Sequence, residues 1–234
     1  MEAFRDREEA ARELSVALSP WRGAHPLVLA IPRGAVPMAE ILARELEGDF
    51  DVVLVRKIGA PGDPEFAVGA VDESGSLSLS PEARLIGIGP EEAEAERQRE
   101  LLVIRERRRL WGKGRPSVDP SGRTVIIVDD GMATGATMAS ALRFLREKKP
   151  KILVAAVPVA SREALDRIRP LSDRTVSLLT PERFLSVSQF YESFPSGRGR
   201  RGPANSRKKA SLTVRLVFPS PLFFSQGKRK YAPS

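Results

Sequence analysis

A chain of 234 residues with 41% apolar residues is long enough for one sizeable domain, and its composition excludes a wholly disordered polymer. With no cysteine and a single histidine, His25, it has no disulfide frame, no thiolate metal site and no zinc site built on two histidines. The formal charge of +8 sits at one end: positions 195–234 hold ten Lys or Arg and no acidic residue, leaving 28 basic against 30 acidic residues ahead of them, a net of −2. A nucleic-acid partner is therefore not expected outside that basic tail.

The opening Met1-Glu2-Ala3-Phe4-Arg5-Asp6 is acidic where an export signal would be basic and then apolar, so a cytoplasmic protein is expected. The longest apolar stretch, Ile152 to Ala160, is interrupted by Pro158 and is far short of the about 20 residues that span a bilayer. No membrane partner is expected.

In chain order, Asp6 to Leu18 carries Ala10, Ala11, Leu14, Ala17 and Leu18 on one helical face, with Asp6 and Glu9 spaced as a capping pair. His25, beside Pro26, reads as a surface loop residue. Leu27 to Ile31 reads as a buried strand, Ala35 to Glu47 as a helix closed by Gly48, and Val52 to Val55 as a second buried strand. Phe66 to Val71 and Ser76 to Leu79, joined through Glu73-Ser74-Gly75, read as a hairpin projecting from the main sheet. Glu91 to Leu110 is densely charged, with a narrow stripe of Ala93, Leu101, Ile104 and the stem of Arg108, which predicts an exposed helix.

A Gly/Pro-rich connector, Gly112 to Gly122, leads to a strand at Thr124 to Val128 and a helix from Gly135 to Lys148. Lys151 to Val157 and Thr175 to Leu179 supply two further strands on either side of a helix at Arg162 to Ile168. Short apolar strands alternating with amphipathic helices imply an α/β fold, an open, mostly parallel sheet flanked by helices on both faces. Residues 1–194 read as one domain with a hood insertion at about 66–120, and residues 195–234 as a basic, low-complexity tail expected to be disordered.

The chemistry concentrates where Val125-Ile126-Ile127-Val128 runs into Asp129-Asp130-Gly131-Met132-Ala133-Thr134-Gly135-Ala136-Thr137. Strand, glycine loop and helix form a phosphate site: small residues let backbone N–H groups approach the ligand, and the helix N-terminus favours an anion by about 0.3–1 kcal/mol. Thr134 and Thr137 add hydroxyl donors. Asp129 and Asp130 would repel a phosphate but suit two vicinal hydroxyls, so the nine residues together describe a ribose 5-phosphate. Gly197, Gly199 and Gly202 also spell G-x-G-x-x-G, but no strand precedes them and no helix pattern follows, so that match is set aside.

Val125 to Thr137 resembles the PRPP (5-phosphoribosyl 1-pyrophosphate) motif of the type I phosphoribosyltransferases. Pro32-Arg33-Gly34-Ala35, after the first strand, resembles that family's pyrophosphate loop, and Arg56-Lys57 closes the second strand with cations that suit the same anion. The resemblance extends to a bacterial and archaeal branch through Arg56-Lys57-Ile58-Gly59-Ala60-Pro61, Pro64-Glu65-Phe66-Ala67, Val157-Pro158-Val159-Ala160-Ser161, Phe184 and Phe190-Tyr191, over about residues 4–194. That branch continues from the aromatic pair into an acidic helix, whereas here a basic tail follows, the change of texture that a shifted reading frame produces.

The resemblance implies an enzyme, a pentosyl transferase of nucleotide metabolism that moves a 5-phosphoribosyl group from PRPP to an acceptor and releases pyrophosphate. In it Asp129 and Asp130 would orient the ribose, with Asp130 able to assist a proton transfer, while Arg33 and Lys57 stabilise charge on the leaving group. Arg33, Gly34, Arg56 and Lys57 would hold the pyrophosphate. Mg²⁺ is the implied cofactor, liganded by PRPP and water rather than by the protein; Asp72 and Glu73 are outside candidates for the metal or the acceptor, against a plain turn. The acceptor itself is not readable, and its cover would come from the hairpin, the helix around Arg97 to Arg109, or the aromatics Phe184 to Tyr191. A homodimer is compatible with the resemblance. The alternative is a non-catalytic PRPP-sensing regulator that uses its basic tail on nucleic acid, against which the slightly acidic body argues; phosphorolysis, the reverse reaction, would use the same site.

Overall fold

A computed structural model describes residues 3–60, 63–79, 83, 85, 87, 89–111 and 117–195, with the backbone alone at 57, 63–67 and 78. The tail from residue 196 onward, with its three glycines, lies outside the described residues. The elements are α1 (Arg7–Ala17), β1 (Leu27–Ala30), α2 (Val36–Glu45), β2 (Asp49–Val52), β3 (Val55–Ala60), β4 (Asp63–Asp72), β5 (Leu77–Leu79), α3 (Pro90–Trp111), β6 (Thr124–Val128), α4 (Ala136–Glu147), β7 (Ile152–Val159), α5 (Arg162–Ile168) and β8 (Arg174–Leu179).

The main sheet is parallel throughout, in the order β2-β1-β6-β7-β8. Its three central strands, β1, β6 and β7, are almost wholly apolar because both faces are covered, and the two-residue period of a strand sorts their side chains between the faces. Val28, Ala30, Ile126, Val128, Val154 and Ala156 join Leu14, Met38 and Leu42 of α1 and α2 in one core. Leu27, Leu29, Val125, Ile127, Leu153 and Ala155 join Met138, Leu142 and Leu165 of α4 and α5 in the other.

The capping pair forms, with one change of partner. The Asp6 carboxylate accepts the Glu9 N–H at 2.9 Å, and the Glu9 carboxylate accepts the N–H of Arg5 rather than that of Asp6. The end of α2 also differs from expectation. The left-handed position there is Glu47, at φ 57°, whereas Gly48 is required because a Cβ would fall 2.2 Å from the Pro26 carbonyl oxygen.

The second strand of the sheet is Asp49–Val52, earlier than the apolar run suggested. Val55, Arg56 and Lys57 start β3, a strand of a separate antiparallel sheet ordered β3-β4-β5, so the basic pair does not close a main-sheet strand. The apolar run was misleading because Val53 and Leu54 are buried in the link between the two sheets. Helix α3 lies against this small sheet and is tied across elements by ion pairs. Arg108 meets Asp51 of β2 at 2.5 Å and also pairs with Glu73, Arg56 pairs with Glu100, and Arg97 donates to the Gly75 carbonyl at 3.0 Å.

Candidate functional site

The site follows from the sheet order. Strands β1 and β6 are parallel neighbours, but the chain leaves β1 for α2 on one face and leaves β6 for α4 on the other. Such a reversal opens a crevice at the strands' C-terminal ends, between residues 31–35 and 129–135. The two loops touch. A Cβ on Gly34 would fall 2.0 Å from Oδ2 of Asp130, so only glycine lets that carboxylate rest on the backbone here. The Pro32–Arg33 peptide in this loop is cis.

Asp129 and Asp130 end β6 with distinct surroundings. Asp129 is half-buried and its carboxylate accepts the Asp130 N–H at 2.8 Å. Burial first, and then the neighbouring charge of Asp130, push its pKa well above the usual carboxylate range, while Arg7 pulls the other way. Asp130 Oδ2 accepts two hydrogen bonds from Arg7, from Nε at 2.9 Å and Nη2 at 2.7 Å, with both side chains largely withdrawn from solvent. Arg7 is itself stacked on the Phe194 ring at 3.9 Å, and the Tyr191 hydroxyl donates to the Asp130 carbonyl at 2.6 Å. Burial of that phenol, reinforced by the charge of Asp130, raises its pKa, so it remains a donor.

Within the glycine loop the residues divide into anchors and cradle. Gly131 is packed so closely that a Cβ would meet Val187 at 2.5 Å. Met132 was expected among the ligand contacts. Instead its side chain is in the core, its N–H donates to Val159 and its carbonyl accepts from Ser161, so it fixes the loop. Thr134, Ala136 and Thr137 are exposed, and Ala133 presents its carbonyl to the Ser161 hydroxyl at 2.6 Å. Gly135, at φ 70°, turns the chain into α4. Beyond a weak bond at 3.4 Å from the Ala136 N–H to Thr134 Oγ1, the amides of residues 133–137 donate to no other group among the described residues, which leaves them available to an anion.

On the opposite side, Arg33 is exposed above the crevice. Arg56 is partly buried and committed to Glu100, with Nη2 to Oε1 at 3.1 Å, rather than free. Lys57 contributes its backbone to β3, and its side chain lies outside the description. Asp72 and Glu73 serve the turn and the hood: Asp72 accepts the N–H groups of Ser74 and Ser76, and Glu73 pairs with Arg108. Both carboxylates already have partners, which favours their structural reading over the metal or acceptor role. A cleft runs beside these residues, lined by Pro32, Val55, Arg56, Ile104, Arg107 and Thr137.

Phe190 and Tyr191 belong to the segment that the sequence offers as one candidate cover for the acceptor. They are buried against Phe4, because the 190–193 backbone pairs with residues 4 and 5. The side chains that sequence reasoning missed are Arg7 and Arg107. For Arg7 a signal existed: a cation at the first position of a helix opposes the helix dipole, and a local rule broken without local compensation points to another role.

Residues 3–191 match the family profile described as phosphoribosyl transferase domain. Two strains of Mycobacterium tuberculosis carry a protein provisionally described as a phosphoribosyl transferase, 35% identical over 195 residues, which are 83% of this chain and 44% of that protein. The chain thus spans less than half the length of these curated relatives. A ribose-phosphate pyrophosphokinase of Methanopyrus kandleri is 30% identical over 183 residues, 69% of this chain and 62% of the relative. The crystal structure of TT1426 from Thermus thermophilus superposes with a TM-score of 0.76 at 44% identity, over 83% of this chain and 92% of that one.

Proposed function

The chain belongs to the phosphoribosyl transferase domain family, and from that premise we propose that it transfers a 5-phosphoribosyl group from PRPP to an acceptor, with release of pyrophosphate. The observation that carries this reading is the contact of Gly34 with Asp130, which joins an anion-binding loop to a ribose-binding one at the crevice of a parallel sheet. The 5-phosphate is taken by the amides and hydroxyls of residues 133–137, with the N-terminus of α4 behind them. Asp129 and Asp130 accept the ribose hydroxyls, with Arg7 and Tyr191 fixing Asp130 from the far side. Arg33 and Lys57 are assigned to the departing pyrophosphate, where positive charge would lower the barrier to breaking the C1–O bond.

The donor chemistry fits a metal that arrives on its substrate. Among the described residues no three carboxylates or histidines cluster, and Mg²⁺ readily takes its oxygen ligands from phosphates and water. Bound with PRPP, the ion would neutralise the leaving group. We place the reaction in the cytoplasm, since a donor bearing three phosphates is too highly charged to cross a bilayer unaided. The described residues include no helix long and apolar enough to cross a membrane. Incubation with PRPP, Mg²⁺ and a pool of bases, amines and water should give pyrophosphate release in the presence of one class of acceptor. Tight PRPP binding without release for any acceptor would favour a sensor instead, and no PRPP binding would end both readings.

A further inference from the structure

Arg107 and Arg108 are adjacent on α3 and meet opposite surroundings. Arg108 has two carboxylates, Asp51 and Glu73, and donates to the Val52 carbonyl at 3.0 Å. Arg107 is half-buried beside Pro32, Arg56 and Thr137 in the cleft, and among the described residues it has no hydrogen bond or ion pair. The charges acting on it are, in order of size, those of Arg56, Glu100 and Arg33; the one opposing carboxylate, Glu100, is already engaged by Arg56. Burial and then the charge of Arg56 lower its pKa. A partly desolvated guanidinium within reach of like charges is costly unless an anion joins it.

We propose that Arg107 is a ligand of the pyrophosphate end of PRPP, brought to the site by the hood helix. The inference rests on the phosphoribosyl-transfer reading and extends it to a residue outside the motif loops. Arg56 on β3 and Arg107 on α3 line one cleft together with Pro32, and the charge of Arg33, which follows Pro32 in the chain, reaches Arg107 there. Thr137 belongs both to that cleft and to the phosphate cradle, so the two are continuous. Pyrophosphate suits such a set: it has oxygens on two phosphorus atoms, enough for several forked donors at once. A neutral acceptor would leave Arg107 without a counter-charge. Through Arg107 the hood would also register the presence of the leaving group.

The test uses the full chain and measures binding of pyrophosphate, PRPP and ribose 5-phosphate by calorimetry. Arg107→Gln should weaken pyrophosphate and PRPP by about ten- to a hundredfold, the loss expected for a charge-assisted contact, and leave ribose 5-phosphate unchanged. Arg107→Lys should fall between, and Arg105→Gln, exposed on the same helix, should match the wild type. Unchanged pyrophosphate affinity in Arg107→Gln overturns the proposal, as does an equal loss for ribose 5-phosphate, which would mark a structural role. A wild-type chain that binds neither PRPP nor pyrophosphate would instead overturn the transferase reading beneath it.

Discussion

Arg7 shows how a single side chain outside the motif sets the chemistry inside it. Its two bonds to Oδ2 hold Asp130 in place, and its charge partly offsets the burial that raises the Asp129 pKa. The groups facing Asp129 are Asp130 from the same loop, Arg7 from α1 and the protonated Tyr191 from the C-terminal segment. If ribose hydroxyls bind the ionised carboxylate, PRPP affinity rises as pH climbs through the Asp129 pKa. Removing the cation lifts that pKa further. Arg7→Gln should therefore weaken PRPP by about 1.5–3 kcal/mol and move the rise in affinity to higher pH, with Arg7→Lys restoring the pH profile in part. Measurement of PRPP affinity as a function of pH in the wild type and both variants checks this. A uniform loss with an unmoved profile would show that Arg7 acts only as a brace.

The hood illustrates what pattern reveals about an element and what it hides. Charge density and the stripe of Ala93, Leu101 and Ile104 predict a helix, and α3 extends one residue past the predicted span at either end. That stripe does not reveal the partners of the helix, since an arginine stem in an apolar row looks alike whether its head meets water or Asp51. Arg108→Ala would strip Asp51 and Glu73 of their shared cation. The loss should be up to about 3 kcal/mol, the low end for a buried pair losing one member, because Glu73 is still 22% exposed. Amide exchange should quicken along α3 while β6 stays protected; unchanged exchange would show that packing alone holds the hood.

Legibility elsewhere followed the same division. Thr124–Val128 and Arg162–Ile168 were readable to the residue because strong local signals bound them. The β2–β3 boundary was not, because burial of Val53 and Leu54 in a link imitates a strand. The site's two loops were legible from their own composition. The contact between them was not, since it depends on strand order.

At the scale of the molecule, the two ends of the described chain close on each other behind the site. Phe4 donates its N–H to Phe190 at 2.8 Å, Glu192 donates to Phe4 at 2.8 Å, and Ser193 donates to Arg5 at 2.9 Å. Phe4, Tyr191 and Phe194 stack in a row with centroids 5.6 and 5.0 Å apart, and Arg7 lies over the last ring. The segment after β8 therefore supports the Asp130 loop, through Arg7 and Tyr191 and through Val187 packed on Gly131. A chain ending at Pro195 keeps all of these contacts, including the Arg7 bond to the Pro195 carbonyl at 3.1 Å, and should bind PRPP as the full chain does. A chain ending at Ser186 loses the burial of Phe190 and Tyr191, about 1.5–3 kcal/mol for each aromatic, together with the brace on Asp130. It should melt at a lower temperature and bind PRPP more weakly than that loss of folded fraction explains. If the two truncations bind alike once corrected for folding, the C-terminal segment is only a lid on the core. If the Pro195 chain already loses PRPP, residues beyond it belong to the site.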